Sequence, residues 1–367
     1  MFDHHAPVSG MIVVLMVVCL GLTSCSTSVP SAEMPVPSSQ PARSPSATEL
    51  VQATATTTSI PAAQTTTGSN QGTAMNTTTA MTDGWSYEAA LKLFDYDQQA
   101  PLDLQETETE ELEDVTVHHI SYASPKGGRV RGYMVVPSGP GPFAGVIIQH
   151  GMPGSRDSVR AYAEQVARTG AVVLAIDAPF ARRRGETLSL TEKDREEQIQ
   201  LMIDLRRGVD ALVSRTDVDA NRLGYIGFSY GGAMGGLLAG IEKRIKAFVL
   251  AVGDGGLVEH LDKPTAANDI SAQVPQDVFE RWKTLMEPIE PIRFVGYAAP
   301  AALLFQNARS DESVNEESAK RYQEAGSEPK EVKWYDGGHR LSDQAHRDQV
   351  EWLQAHIGID AKKFKRP

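Results

Sequence analysis

Apolar and polar positions fall into two rhythms along the chain. Val115–Tyr122 and Val130–Val136 alternate in period two, the pattern of half-buried strands, and Lys126-Gly127-Gly128 between them predicts a hairpin. Four short apolar runs follow, Ala144–Gln149, Ala171–Ile176, Leu223–Ile226 and Ala247–Val252, suited to strands covered on both faces. Ala301–Phe305 and Val332–Tyr335 repeat the pattern. Between the runs the period lengthens. Met202, Leu205, Val209, Leu212 and Val213 recur at steps of three and four, one face of a helix. Ser342 is placed to cap a last helix that buries Val350, Leu353 and Ile357. A hairpin followed by alternating strands and helices predicts an α/β fold, a mostly parallel eight-stranded sheet flanked by helices.

Two stretches stand outside that alternation. The acidic run Glu106–Asp114 has no apolar period and reads as a lead-in to the first strand. The connection from Gly253 to Ala301 is far longer than the usual ~2–6 residues between a strand and a helix. Within it, Pro275-Gln276-Asp277 starts a helix whose Val278, Phe279, Trp282, Leu285 and Met286 share one face. An insertion over about 254–300 emerging at the C-terminal edge of the sheet predicts a small helical cap.

The chain begins differently. The apolar run Met11–Leu20 is too short to span a bilayer, which takes roughly 20 residues, and has the length of a signal-peptide core. It runs into Leu22-Thr23-Ser24-Cys25, which resembles the bacterial lipobox, in which the cysteine is lipidated. The first ten residues depart from a usual signal in holding no Lys or Arg. Residues 26–83 are mostly Ser, Thr, Pro, Ala and Gln, with four charges, Glu33, Arg43, Glu49 and Asp83. Too little apolar surface is present to offset the entropy of ordering them. The division expected is therefore a signal peptide over 1–25, a stalk over 26–83 and a folded domain over 84–367. Its place is extracytoplasmic, lipid-anchored at Cys25 to a bacterial membrane surface.

Composition narrows the partners. The chain has 367 residues with a formal charge of −12, 41% hydrophobic and 22% charged. Nucleic acid is excluded as a partner, because neutralising phosphates needs a basic face. Of the aromatic residues only Phe2 precedes Trp85, which agrees with the domain boundary. Both cysteines, Cys19 and Cys25, lie in the signal, so the domain has no disulfide and no thiolate metal site.

The candidate chemistry starts at the Leu223 strand, which ends in Gly227-Phe228-Ser229-Tyr230-Gly231 before a small-residue helix, Ala233–Gly240. This is the G-x-S-x-G turn in its strand–turn–helix context, with Ser229 raised above the sheet as a candidate nucleophile. A serine hydroxyl needs a base, and Gly337-Gly338-His339 follows the last strand. Asp311, after the penultimate strand, can orient the imidazole; Asp336 and Glu312 are its rivals. The oxyanion donors expected are the backbone N–H groups of Tyr230 and of Met152, in Gln149-His150-Gly151-Met152-Pro153-Gly154. His150 reads as a structural hydrogen-bonding residue beside that turn. His346 and His356 fall on the last helix, and the consecutive His118 and His119 point to opposite faces of a strand. His260 lies in the insertion and is kept as a substrate contact. Arg182-Arg183-Arg184 reads as a solvated loop rather than an anion site. No dinucleotide fingerprint opens and no metal-ligand spacing is present, so neither cofactor nor metal is implied.

Together with Leu93-Phe94-Asp95-Tyr96-Asp97 and Asp217-Val218-Asp219-Ala220-Asn221-Arg222, these motifs resemble the dienelactone hydrolase-like branch of the α/β hydrolases, and acetyl-xylan esterases are similar. The order Ser229, Asp311, His339 is that of the superfamily. Dienelactone hydrolase proper carries a cysteine where this chain has Ser229. The resemblance implies a serine esterase acting on small or medium carboxylic esters through an acyl-enzyme. A prolyl-oligopeptidase-like peptidase and a non-catalytic binding lipoprotein on the same fold are the alternatives.

Overall fold

The structure is a computed structural model and describes residues 84–183, 187–263 and 274–365. The signal peptide, Cys25 and the stalk lie outside the described residues, as do Arg184 and part of the insertion, 264–273.

Among the described residues nine strands form one sheet: β1 Gln105–Glu111, β2 Val115–Ala123, β3 Arg129–Pro137, β4 Phe143–Gln149, β5 Ala171–Ile176, β6 Val218–Phe228, β7 Ala247–Ala251, β8 Ala302–Ala308 and β9 Lys330–Tyr335. Their order is β1-β2-β3-β5-β4-β6-β7-β8-β9. The β1–β2, β2–β3 and β3–β5 pairs are antiparallel, and every pair from β5 to β9 is parallel. The expected hairpin is therefore present. The count exceeds expectation by one, because the acidic run is β1. Its sequence QETETEE is exposed almost throughout and pairs through its backbone at the edge of the sheet. Charge on such an edge blocks further strands from adding, so no apolar period marks it.

The parallel strands carry two cores. On β4, Ile147 enters one cluster and Val146 and Ile148 the other; on β6, Tyr225 and Ile226 divide the same way. The first cluster is covered by α1 (Tyr87–Leu91), α3 (Glu192–Val213), α4 (Tyr230–Ile241), α6 (Gln276–Met286) and α7 (Glu316–Ala325). The second lies under α2 (Arg160–Arg168) and α8 (Asp343–Ile357). Two fully covered faces explain why these strands read as continuous apolar runs. Ser342 Oγ caps α8, accepting from the Ala345 N–H, and Val350, Leu353 and Ile357 are buried as expected.

Within the insertion, α5 (Leu257–Asp262) and α6 are present, and α6 begins after Pro275 as its sequence predicts. Its apolar face packs onto the domain itself: Phe279, Trp282 and Met286 join the first core. Trp282 Nε1–H donates to Asp194 Oδ2 at 2.9 Å, and the same carboxylate accepts from the Ser189 and Leu190 N–H groups. Asp194 in the first turn of α3 thus ties α6 to the loop before it.

Candidate active site

Ser229 sits between β6 and α4 with φ 54° and ψ −118°. That conformation is costly for a residue with a side chain and persists only where its surroundings enforce it. Here the Ser229 N–H donates to Ala251 O at 2.9 Å, and Ser229 O accepts from the Ala233 N–H. Two tyrosines hold the turn from below. Tyr225 O–H donates to Gly231 O at 2.7 Å, and Tyr322 O–H donates to Ala233 O at 2.8 Å. Neither is visible as a site residue in the sequence, where an aromatic in a strand or helix reads as core. At Gly227 a Cβ would lie 2.1 Å from Gly231 O, so the turn admits only glycine there.

The loop after β4 meets the turn from the other side. A Cβ on Gly151 would stand 3.0 Å from Ser229 Cβ and 3.6 Å from its Oγ, which places Gly151, the residue before Met152, beside the hydroxyl. His150 is fully buried and is bonded at both nitrogens. Nε2 accepts from the Ala178 N–H at 3.0 Å, so the proton is on Nδ1, which donates to Gly151 O at 2.7 Å. Burial pushes its pKa down, and the ring is neutral. Because the peptide is planar and trans, tying Gly151 C=O to His150 turns the Met152 N–H the opposite way. Phe180 closes this corner, edge-on to both His150 and Tyr230 at 5.6 Å.

Asp311 and His339 are brought together after β8 and β9, as expected. Nδ1 of His339 lies 2.9 and 3.0 Å from the two Asp311 oxygens. Asp311 also accepts from the Ser313 and Val314 N–H groups. Burial favours its neutral form, but the His339 bond and charge and the two N–H donors outweigh it, and the carboxyl is held below its ordinary pKa. Its rivals have other tasks. Glu312 accepts the backbone N–H of His339 at 3.0 Å, and Asp336, with its side chain 98% exposed, faces Arg309. Ser229, Tyr230, Asp311 and His339 all stand at the C-terminal ends of neighbouring strands, β6 to β9, or just after them.

The other candidates are placed elsewhere. His346 packs against Tyr162 and Phe228, and His356 donates to Trp352 O. The arginine run is not the solvated loop its charge suggests. Arg182 pairs with the fully buried Asp204 at 2.6 Å, and Arg183 reaches both oxygens of Glu197, so both lock the loop to α3. Pairing β1 with β2 sets Glu108, Glu110 and His119 within 4.8 Å of one another, a spacing invisible without β1. Arg160 already engages Glu110 at 2.7 Å, and β2 lies four strands from β6, about 19 Å away.

Comparison with known proteins agrees with the fold. The family described as alpha/beta hydrolase fold matches residues 146–358. An acetyl xylan esterase from Paenibacillus sp. R4 is similar in structure, with a TM-score of 0.59 and 20% identity over 74% of this chain and 93% of that one. Acetyl xylan esterase 1 from Thermoanaerobacterium sp. JW/SL YS485 has a TM-score of 0.60 and 15% identity over 76% and 93%. A cold-adapted esterase from an Arctic intertidal metagenomic library has a TM-score of 0.52 and 18% identity over 68% and 97%. At these identities the likeness is one of fold. No curated protein matches the sequence.

Proposed function

The chain belongs to the α/β hydrolase fold family, and we propose that it is a serine hydrolase cleaving carboxylic esters through an acyl-enzyme. One observation carries the reading: the buried Asp311 holds Nδ1 of His339 at the strand edge where Ser229 is kept in a strained turn. Ser229 Oγ attacks the ester carbonyl while His339 Nε2 takes its proton. Asp311, kept ionised, fixes the tautomer and stabilises the imidazolium. The tetrahedral oxyanion accepts from the N–H groups of Tyr230 and Met152. The Tyr230 N–H opens α4 and so has no partner within the helix. Removing one such donor typically costs about 3 kcal/mol in the barrier. His339 then protonates the departing alcohol, and a water activated by the same nitrogen releases the acid.

The similarity to solved esterases favours esters over peptides. Kinetics on an ester and an amide of the same short acyl group test this. The ester is turned over with much the higher kcat/KM. A preference for the amide points to a peptidase, and binding without turnover of either points to a non-catalytic protein.

The same reading includes export and lipidation at Cys25. In the full chain, Cys25→Ala abolishes fatty-acid labelling and releases the protein from the membrane fraction; labelling that persists contradicts the anchor.

A further inference from the structure

A second carboxylate–imidazole pair stands beside the first. Asp254 follows β7 as Asp311 follows β8, and β7 and β8 are adjacent parallel strands, with Ala251 opposite Gln306. His260, on α5, lies with Nδ1 at 2.8 Å from Asp254 Oδ2, and the carboxylate is almost completely buried. The residue before Asp254 packs directly on the turn that carries Ser229: a Cβ on Gly253 would meet Ala233 N at 2.5 Å. Asp254 is therefore anchored at the elbow rather than out on the insertion.

The helix that carries the imidazole is fixed from below. Glu290 Oε2 accepts the Val258 N–H at 3.0 Å and the Glu259 N–H at 3.4 Å, and the His260 N–H donates to Gly256 O. Glu259 is itself paired with Arg321 at 3.0 Å. With Nδ1 committed to Asp254, the free edge of the ring is Nε2, which has no protein partner among the described residues, while the side chain remains 26% exposed. A ring nitrogen held in place by the Asp254 bond, without a protein partner among the described residues and open to the outside, is free to meet a substrate.

Resting on the serine hydrolase reading, we propose that His260 is a substrate-binding residue whose Nε2 hydrogen-bonds a hydroxyl of the ester outside the scissile group, accepting from it as the neutral imidazole and donating to it as the imidazolium. Burial disfavours the imidazolium, but Asp254, by charge and hydrogen bond, and Asp311, by charge, hold the pKa above its ordinary value. The partner is an uncharged hydroxyl, because the carboxylates of Asp254 and Asp311 at this end of the sheet disfavour an anion.

The test compares ethyl butyrate with three relatives: glycerol 1-monobutyrate, ethyl 3-hydroxybutyrate and the anionic monoethyl succinate. In His260→Ala, kcat/KM falls about 10-fold or more further for at least one hydroxylated ester than for ethyl butyrate, mainly through KM. His260→Gln, which keeps a donor and an acceptor, restores part of that loss. Equal losses on every ester, no loss on any, or a loss confined to monoethyl succinate overturns the proposal. Labelling of Ser229 by a small fluorophosphonate is retained in both variants. Absence of that labelling in the unmutated protein defeats the serine hydrolase reading instead, so the two failures are distinct.

Discussion

Ser229→Ala and His339→Ala each lower kcat by at least about 10³-fold, and the double variant falls little further. The two side chains perform one act. Without the imidazole the hydroxyl keeps its proton, and without the hydroxyl the imidazole has nothing to activate. What survives in each variant is the binding site and the oxyanion donors, which the double variant retains. Asp311→Asn also loses heavily, because the Ser313 and Val314 N–H groups hold the amide oxygen and turn its NH2 toward His339 Nδ1, which favours the wrong tautomer. Losses that multiply across Ser229 and His339 contradict a shared step. Measured kcat on a single short ester is sufficient, provided the thermal midpoints of all variants match.

The second large effect is mechanical. Gly227→Ala places a methyl 2.1 Å from Gly231 O, 2.4 Å from Gly231 C and 2.8 Å from Gly232 N. All three are backbone atoms in the first turn of α4, and α4 is buried along its whole length, so none can swing aside as a side chain would. The helix start must move or the variant must not fold. Overpacking of this kind costs about 3 kcal/mol or more, which lowers the thermal midpoint by roughly 6–12 °C for a domain of about this size. Because Ser229 lies between Gly227 and the displaced turn, any folded fraction also loses turnover. A variant that melts with the parent and retains kcat contradicts the packing of β6 against α4.

These two sites show which physics a sequence exposes. The strands buried on both faces were evident because solvent exclusion leaves only apolar residues along them, and the elbow was evident because its geometry demands glycine beside the serine. β1 was not, since an edge strand made of Glu and Thr is held by backbone bonds that leave no apolar trace. Asp311 shared its region with Glu312 and Asp336, and only three-dimensional placement separates them: one is buried on His339 Nδ1, one bonds the His339 backbone, one faces solvent. The arginine run misled for a related reason. Its partners Asp204 and Glu197 lie on α3, remote in sequence, so the charges looked uncompensated. The Asp254–His260 pair is not legible as a pair, because five residues separate its members and Asp254 lies before the helix that carries His260.

Whether Ser229 is the acylated nucleophile is settled by mass spectrometry of the protein treated with a small fluorophosphonate. The account predicts one label per chain, located on the peptide containing Ser229, absent in Ser229→Ala and slowed by a competing short-chain ester. A label on another residue, or ester hydrolysis undiminished in Ser229→Ala, would contradict it.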